Sequence, residues 1–211
     1  MQIRKRCSRF FAKRSSPWLA DLVRQMSPAI TARVVAELPP LTLGAQLQVS
    51  TNNIIGKQTV LDAFLSIREI VKNHIVEEQE TKVVLKNSAG RTVVIALAAD
   101  PDVRIQEEFS GKLQNKVAIE IKGGTDRSNA HNRAGEAEKS HQKAKNEEFR
   151  DFWTIIATKG LDLKKLKQES PTTNSWFDAA QVLGCEGEDW NEFRNRLAGQ
   201  VGIPLSAELK P

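Results

Sequence analysis

Between Lys82 and Lys122 the chain carries a succession of β-branched segments with no helical pattern among them, and this block limits the available folds more than any other stretch. Lys82–Leu85 and Arg91–Ala98 flank Asn87-Ser88-Ala89-Gly90 and read as a hairpin. Val103 and Ile105 alternate with polar residues as a third short strand, and Val117–Lys122 (VAIEIK) is a fourth. Strands that follow one another without intervening helices exclude a doubly wound parallel sheet.

Helices are expected on both sides of the block. From Gln58 to about Glu78, Val60, Leu61, Phe64, Ile67, Val71 and Ile75 recur at the spacing of an amphipathic helix. A polar helix is predicted from Ala130 to Phe149 and a fifth strand over Phe152–Ala157. Residues 161–203 read as two or three short helices, with Trp176, Phe177, Leu183, Trp190, Phe193 and Leu197 as apolar contacts. The order predicts an α/β fold, a mixed β-sheet of about five strands flanked by helices. Upstream, residues 1–16 hold six basic residues and no acidic one; they read as a solvated tail, with a DNA-backbone arm as the functional alternative. Ser16-Pro17 and Ser27-Pro28 each open a short helix, and Pro39-Pro40 ends the second. The expected division is therefore a basic tail with N-terminal helices over 1–40, a core over 41–160, and a helical segment over 161–211 packed on that core.

Bulk properties narrow the function classes. The longest apolar runs, such as Thr92–Ala99, are too short to cross a bilayer, so no membrane span is expected. The basic start is followed by no apolar stretch of the secretory kind. Cys7 and Cys185 are far apart and without metal-type spacing, which argues against a disulfide framework or a zinc site and fits a cytoplasmic location. A net charge of +5 suits a polyanionic partner without establishing one.

The chemistry concentrates in Asp100-Pro101-Asp102-Val103 and in Ile119-Glu120-Ile121-Lys122-Gly123-Gly124. Residues two apart on a strand share a face, so Glu120 and Lys122 project together while Ile119 and Ile121 enter the core. Charged groups at the end of a buried strand require a partner or a task. Asp102 opens the preceding strand; if the two strands pair, Asp102 and Glu120 converge. Two neighbouring carboxylates repel, and a hard divalent cation relieves that repulsion; magnesium needs only one or two protein carboxylates. Lys122 beside them can orient or deprotonate a water, or stabilise charge on a phosphate. The plain alternative for Glu120 and Lys122 alone is a solvated ion pair on an edge strand. That alternative weakens when Pro-Asp, a strand, Glu-x-Lys in an apolar strand and a polar helix occur in this order.

Pro101-Asp102 followed by Glu120-Ile121-Lys122 resembles the PD-(D/E)XK nuclease signature, and the element order resembles that superfamily's restriction-endonuclease-like core. The resemblance implies Asp102 and Glu120 as magnesium ligands, joined by the Ile121 carbonyl, Lys122 as the catalytic lysine, and 5′-phosphate and 3′-hydroxyl products. The following segment, residues 123–145, is similar to type II restriction endonucleases of the XcyI kind, whose prototype reads CCCGGG. This likeness implies a homodimer on double-stranded DNA.

Read without any family, the same helix carries Ala130, Ala134, Ala137 and Ala144 near one face, a small-residue stripe suited to lying close on a sheet. Arg133, Lys139 and Lys143 could hold phosphates, and Asn129, His131 or Asn132 could reach phosphates or base edges. The plain alternative is a solvated helix with pairs such as Glu136 with Lys139 or Lys143. Other features carry little. Gly56-Lys57-Gln58-Thr59 lacks the elements of a phosphate loop, and His131 and His141 are too widely spaced for a zinc pair. Asp100 rivals Asp102 as a ligand, Glu69 reads as a surface residue, and Glu107 and Glu108 read as solvated. A structure-selective repair nuclease, a non-catalytic DNA-binding remnant, suggested by the shortness of the chain, and a soluble α/β protein with a coincidental motif are the competing functions.

Overall fold

The first apolar stripe folds as helix α1 over residues 54–71, burying Ala63, Phe64, Ile67, Ile70 and Val71 and leaving Leu61 and Leu65 exposed. The computed structural model describes residues 54–123, 130–158 and 162–205, all within one compact unit, Asn52–Pro211. Asn129, the side chains of Ala130 and His131, and the features expected over residues 1–40 lie outside the described residues. Helix α1 is shorter than its periodicity predicts. Lys72–His74 forms a 3₁₀ turn, and Ile75–Gln79 becomes strand β1. Ile75 continues the helical spacing, but pairing of β1 with the next strand overrides it.

Strands β2 (Lys82–Lys86), β3 (Thr92–Leu97), β4 (Val103–Phe109) and β5 (Lys112–Lys122) follow as an antiparallel meander. Ser110 and Gly111 both take positive φ, 51° and 75°, in the tight turn joining β4 to β5, so both strands run longer than expected. Helix α2 (Ala130–Asn146) then crosses over to β6 (Asp151–Ile156), which lies parallel to β5. Helix α3 (Leu163–Glu169) leads to β7 (Ser175–Asp178), parallel to β6, and helices α4 (Ala179–Gly184) and α5 (Gly187–Val201) end the described chain. The sheet is mixed, as expected, but has seven strands in the order β1 to β7 rather than five. The two additions are β1 and β7. Trp176 and Phe177, expected on a helix, lie on β7, whose four residues are too few to show alternation.

One face of the sheet holds the main core. Val83, Leu85, Val93, Ile95, Val103, Ile105, Val117, Ile119 and Ile121 pack with α1 and with Trp190, Phe193 and Leu197 of α5. Trp153, Phe177 and Phe193 meet edge to face within it. The other face is thin. There Ala134, Ala137 and Ala144 are wholly buried, and the small stripe lets α2 lie close against β5. Residues 118, 120 and 122 point to that side. Among the described residues no helix is long and apolar enough to cross a membrane.

Candidate active site

The site forms where the meander gives way to the parallel half of the sheet. Antiparallel pairing of Val103 with Ile119 sets Asp102 opposite Glu120. The Ile121 amide donates to Asp102 Oδ2 at 2.8 Å. Lys122 Nζ lies 2.7 Å from Glu120 Oε1 and 3.8 Å from Glu136 Oε2. The three residues singled out in the sequence are thus brought together, with Glu120 only 6% exposed.

Burial, and then the charge of Glu120, pushes the Asp102 carboxyl up to about 6. Burial opposes the charge on Lys122, but Glu120, followed by Asp102 and Glu136, outweighs it and holds the amine above its ordinary value. Lys122 therefore carries a positive charge at neutral pH. The donor set fits magnesium: two carboxylates and the Ile121 carbonyl, next in sequence to Glu120, are all hard oxygen donors, and the Asp102 carboxyl, raised by burial and then by the charge of Glu120, marks a buried negative charge that a cation would relieve. Among the described residues no group of three or more acidic, histidine or cysteine side chains is poised as a metal cage. The site offers the sparse ligand set that suits magnesium with its retained waters.

Asp100 is engaged by Lys143 and Ser140. Lys143 Nζ meets its Oδ2 at 2.6 Å, and its Oδ1 is in hydrogen-bond contact with Ser140. Burial alone would raise its carboxyl, but the bonds from Lys143 and Ser140 prevail and hold it below the usual range. The Asp100-Pro101 peptide is cis, and Arg104 donates to the Asp100 carbonyl at 2.6 Å.

Two further residues of α2 reach the site and were not singled out as functional in the sequence. Ser140 donates to Glu120 Oε2 at 2.7 Å. His141, wholly buried, contacts Thr154 Oγ1 through Nε2 at 2.9 Å, and Thr154 is the β6 partner of Glu120. Burial lowers the imidazole to about 4, so it is neutral at neutral pH. Both residues occupy the face of α2 that the alanines line, and polar groups inside that stripe were the available signal.

The expected DNA contacts are dispersed. Arg133 donates to the Gly123 carbonyl at 3.0 Å and ties α2 to the end of β5, Lys139 is exposed, and Lys143 is paired with Asp100. The suggested pairing of Glu136 with Lys139 or Lys143 is not formed; Glu136 faces Lys122 instead. Glu69 is a surface residue, paired with Lys72. Glu107 corrects its expectation. Its side chain is 12% exposed and accepts from Asn87, Arg91 and Lys116 at 2.7, 2.6 and 2.8 Å, knotting the β2–β3 loop to β4 and β5.

Gly123 leaves β5 against α1. A Cβ there would lie 2.7 Å from Thr59 Oγ1, 3.1 Å from Thr59 Cβ and 3.3 Å from Gly56 Cα. Gly123→Ala is expected to cost about 1–3 kcal/mol by overpacking. Gly135→Ala, on α2 with nothing near the added carbon, is expected to gain about 0.5–1 kcal/mol. Urea denaturation of the two variants distinguishes them, and equal effects would contradict the close approach at Gly123.

A seven-stranded mixed sheet flanked by helices, with paired acids and a lysine where the meander meets the parallel strands, is consistent with a restriction-endonuclease-like core. The chain belongs to the XcyI restriction endonuclease family, whose model matches residues 2–204. It is 39% identical over 186 residues to the type II restriction enzyme Cfr9I of Citrobacter freundii, covering 87% of this chain and 56% of that protein. It is also 39% identical over 176 residues to the type II restriction enzyme XcyI of Xanthomonas campestris pv. cyanopsidis, covering 83% of this chain and 53% of that one. The chain thus spans about half the length of these curated relatives. No solved structure matches it.

Proposed function

We propose that this chain carries the catalytic core of a magnesium-dependent type II restriction endonuclease, which hydrolyses double-stranded DNA at a short specific sequence and leaves 5′-phosphate and 3′-hydroxyl ends. The observation that carries this reading is the convergence of Asp102, Glu120 and the cationic Lys122 at the end of β5. Family membership supports the same reaction class. Asp102, Glu120 and the Ile121 carbonyl would hold the magnesium ion. Bound there, the ion supplies an acidified water and neutralises a phosphoryl oxygen.

The chain's own groups do the rest. The Lys122 ammonium faces the charge that develops on the phosphate and orients the attacking water. Its raised pKa favours this electrostatic role over proton abstraction. Of the residues expected to contact DNA, Arg133 and Lys139, with Asn129 and His131, are proposed as the contacts on and before α2, while Lys143 is engaged by Asp100. A homodimer would bring one site to each strand, and its two-fold symmetry would match a palindrome. The likeness to the XcyI kind makes CCCGGG the first sequence to test.

The test is digestion of a plasmid bearing one CCCGGG site and otherwise mixed sequence, with magnesium. Discrete fragments with ligatable 5′-phosphate ends are expected, and end mapping gives the sequence read. Folded protein that fails to cut with any divalent ion, yet binds DNA in a salt-sensitive way, would replace this reading with a non-catalytic DNA-binding role. Cutting confined to branched substrates would replace it with a repair nuclease.

A further inference from the structure

Helix α2 packs its alanine stripe on β5, with Ala134, Ala137 and Ala144 at zero exposure. Alanine at position 140 would fit the same stripe, yet the residue there is a buried serine. Its hydroxyl stands between two carboxylates, 2.7 Å from Glu120 Oε2 and in contact with Asp100 Oδ1. A hydroxyl has one proton to give, so it cannot donate to both acids at once. The charge on Asp100 is met from its far side by Lys143, 2.6 Å away. Glu120 has its other oxygen, Oε1, 2.7 Å from Lys122. A continuous chain results, from exposed Lys143 through Asp100 and Ser140 to Glu120 and Lys122. With the hydroxyl proton given to Glu120, both oxygens of Glu120 are held, and the charge of Asp100 rests on Lys143.

We propose that Ser140 is a positioning residue for Glu120, braced from behind by the Asp100–Lys143 ion pair, and that Lys143 acts through this brace rather than by gripping DNA. Ser140 touches neither DNA nor the reacting atoms; it sets the rotamer in which Glu120 presents its carboxylate beside Asp102. Without the hydroxyl, Asp100 and Glu120 face each other across a gap with no proton between them, and Glu120 is free to turn. The inference rests on the nuclease reading above. Partners that orient ligating carboxylates typically contribute about 10- to 100-fold to metal affinity or activity.

The experiment compares the full chain with Ser140→Ala and Lys143→Met. Two readouts are used: the magnesium concentration at the midpoint of the cation-induced rise in melting temperature, without DNA, and steady-state cleavage of a cognate duplex. Ser140→Ala is expected to move the midpoint up about 10- to 100-fold and to lower kcat in the same range, with KM for DNA unchanged. Lys143→Met is expected to move the midpoint in the same direction by a smaller factor, leaving KM and its salt dependence alone. This exposed variant keeps the test open if Ser140→Ala fails to fold. The brace is overturned if Lys143→Met instead raises KM and lowers the salt slope by about one with the midpoint fixed. An unchanged midpoint in folded Ser140→Ala, beside a wild type that responds to magnesium and cuts, overturns the inference alone. A wild type that neither responds to magnesium nor cuts overturns the nuclease reading and the inference with it.

Discussion

Lys122→Ala is expected to slow single-turnover cleavage of a cognate duplex by about 100- to 10,000-fold, the range for a group that assists proton movement or charge development at the reacting centre. The ammonium is well placed for that loss to be large. Its side chain is 19% exposed, so solvent screens it poorly, and it stands 2.7 Å from a carboxylate that is itself 7% exposed. The same substitution leaves Glu120 buried opposite Asp102 with no cation in contact. Removing one partner of such a buried pair costs about 3–5 kcal/mol, so the variant should also be less stable, and magnesium should restore part of the loss. Rapid-quench cleavage and urea denaturation, each with and without magnesium, measure the two effects. A variant that cuts within tenfold of wild type would remove Lys122 from the mechanism.

Asp102→Asn is expected to abolish cleavage while raising stability at neutral pH. The Asp102 carboxyl, ordinarily at 3.8, stands at about 6 in the folded chain, first because it is buried and then because Glu120 is near. The folded state therefore holds this proton where the unfolded state has released it. Stability contributed by the protonated acid is present below pH 4 and is lost as pH rises from about 4 to about 6. Above that window the ionised group costs on the order of 2–3 kcal/mol. Asparagine keeps an oxygen for the Ile121 amide and carries no charge. The variant should melt several degrees above wild type at pH 7 in the absence of divalent ions, and it should lack the wild-type decline between pH 4 and 6. Magnesium should raise the melting temperature of wild type and have little effect on the variant. A variant less stable than wild type at pH 7 would contradict a carboxylate whose charge is disfavoured by burial and by Glu120. The expected opposition between activity and stability is what a site built to receive a cation produces.

The middle of the chain was legible because its local signals agree. Turn residues separate β2 from β3, and Glu120 and Lys122 interrupt an apolar strand at its end. The strand period alone put both on one face, and the pairing of Val103 with Ile119 then placed Asp102 beside them. Strands β1 and β7 were not legible for two different reasons. Ile75 continues a helical period, so its strand state is decided by β2, a partner that the period cannot reveal. Ser175–Asp178 is too short for any period. The site residues supplied by α2 were hidden for a third reason. Ser140 and His141 make their contacts across a crossover, to Glu120 and Thr154, and a one-dimensional pattern of small residues shows only that this face is close-packed. Lys143 looked like a surface cation because its charge partner, Asp100, is brought to it only by the folded sheet.

The tight turn at Ser110 and Gly111 bears on the order in which the site assembles. Asp102 and Glu120 lie on the two arms of a single hairpin, so they meet through a short, cheaply closed loop. Ser140 and Thr154 arrive only when α2 has packed and β6 has docked parallel to β5, a slower, non-local event. The acids are therefore expected to be juxtaposed before the groups that surround them are in place. A hairpin formed first would be open to water and salt, which soften the repulsion that the finished fold encloses.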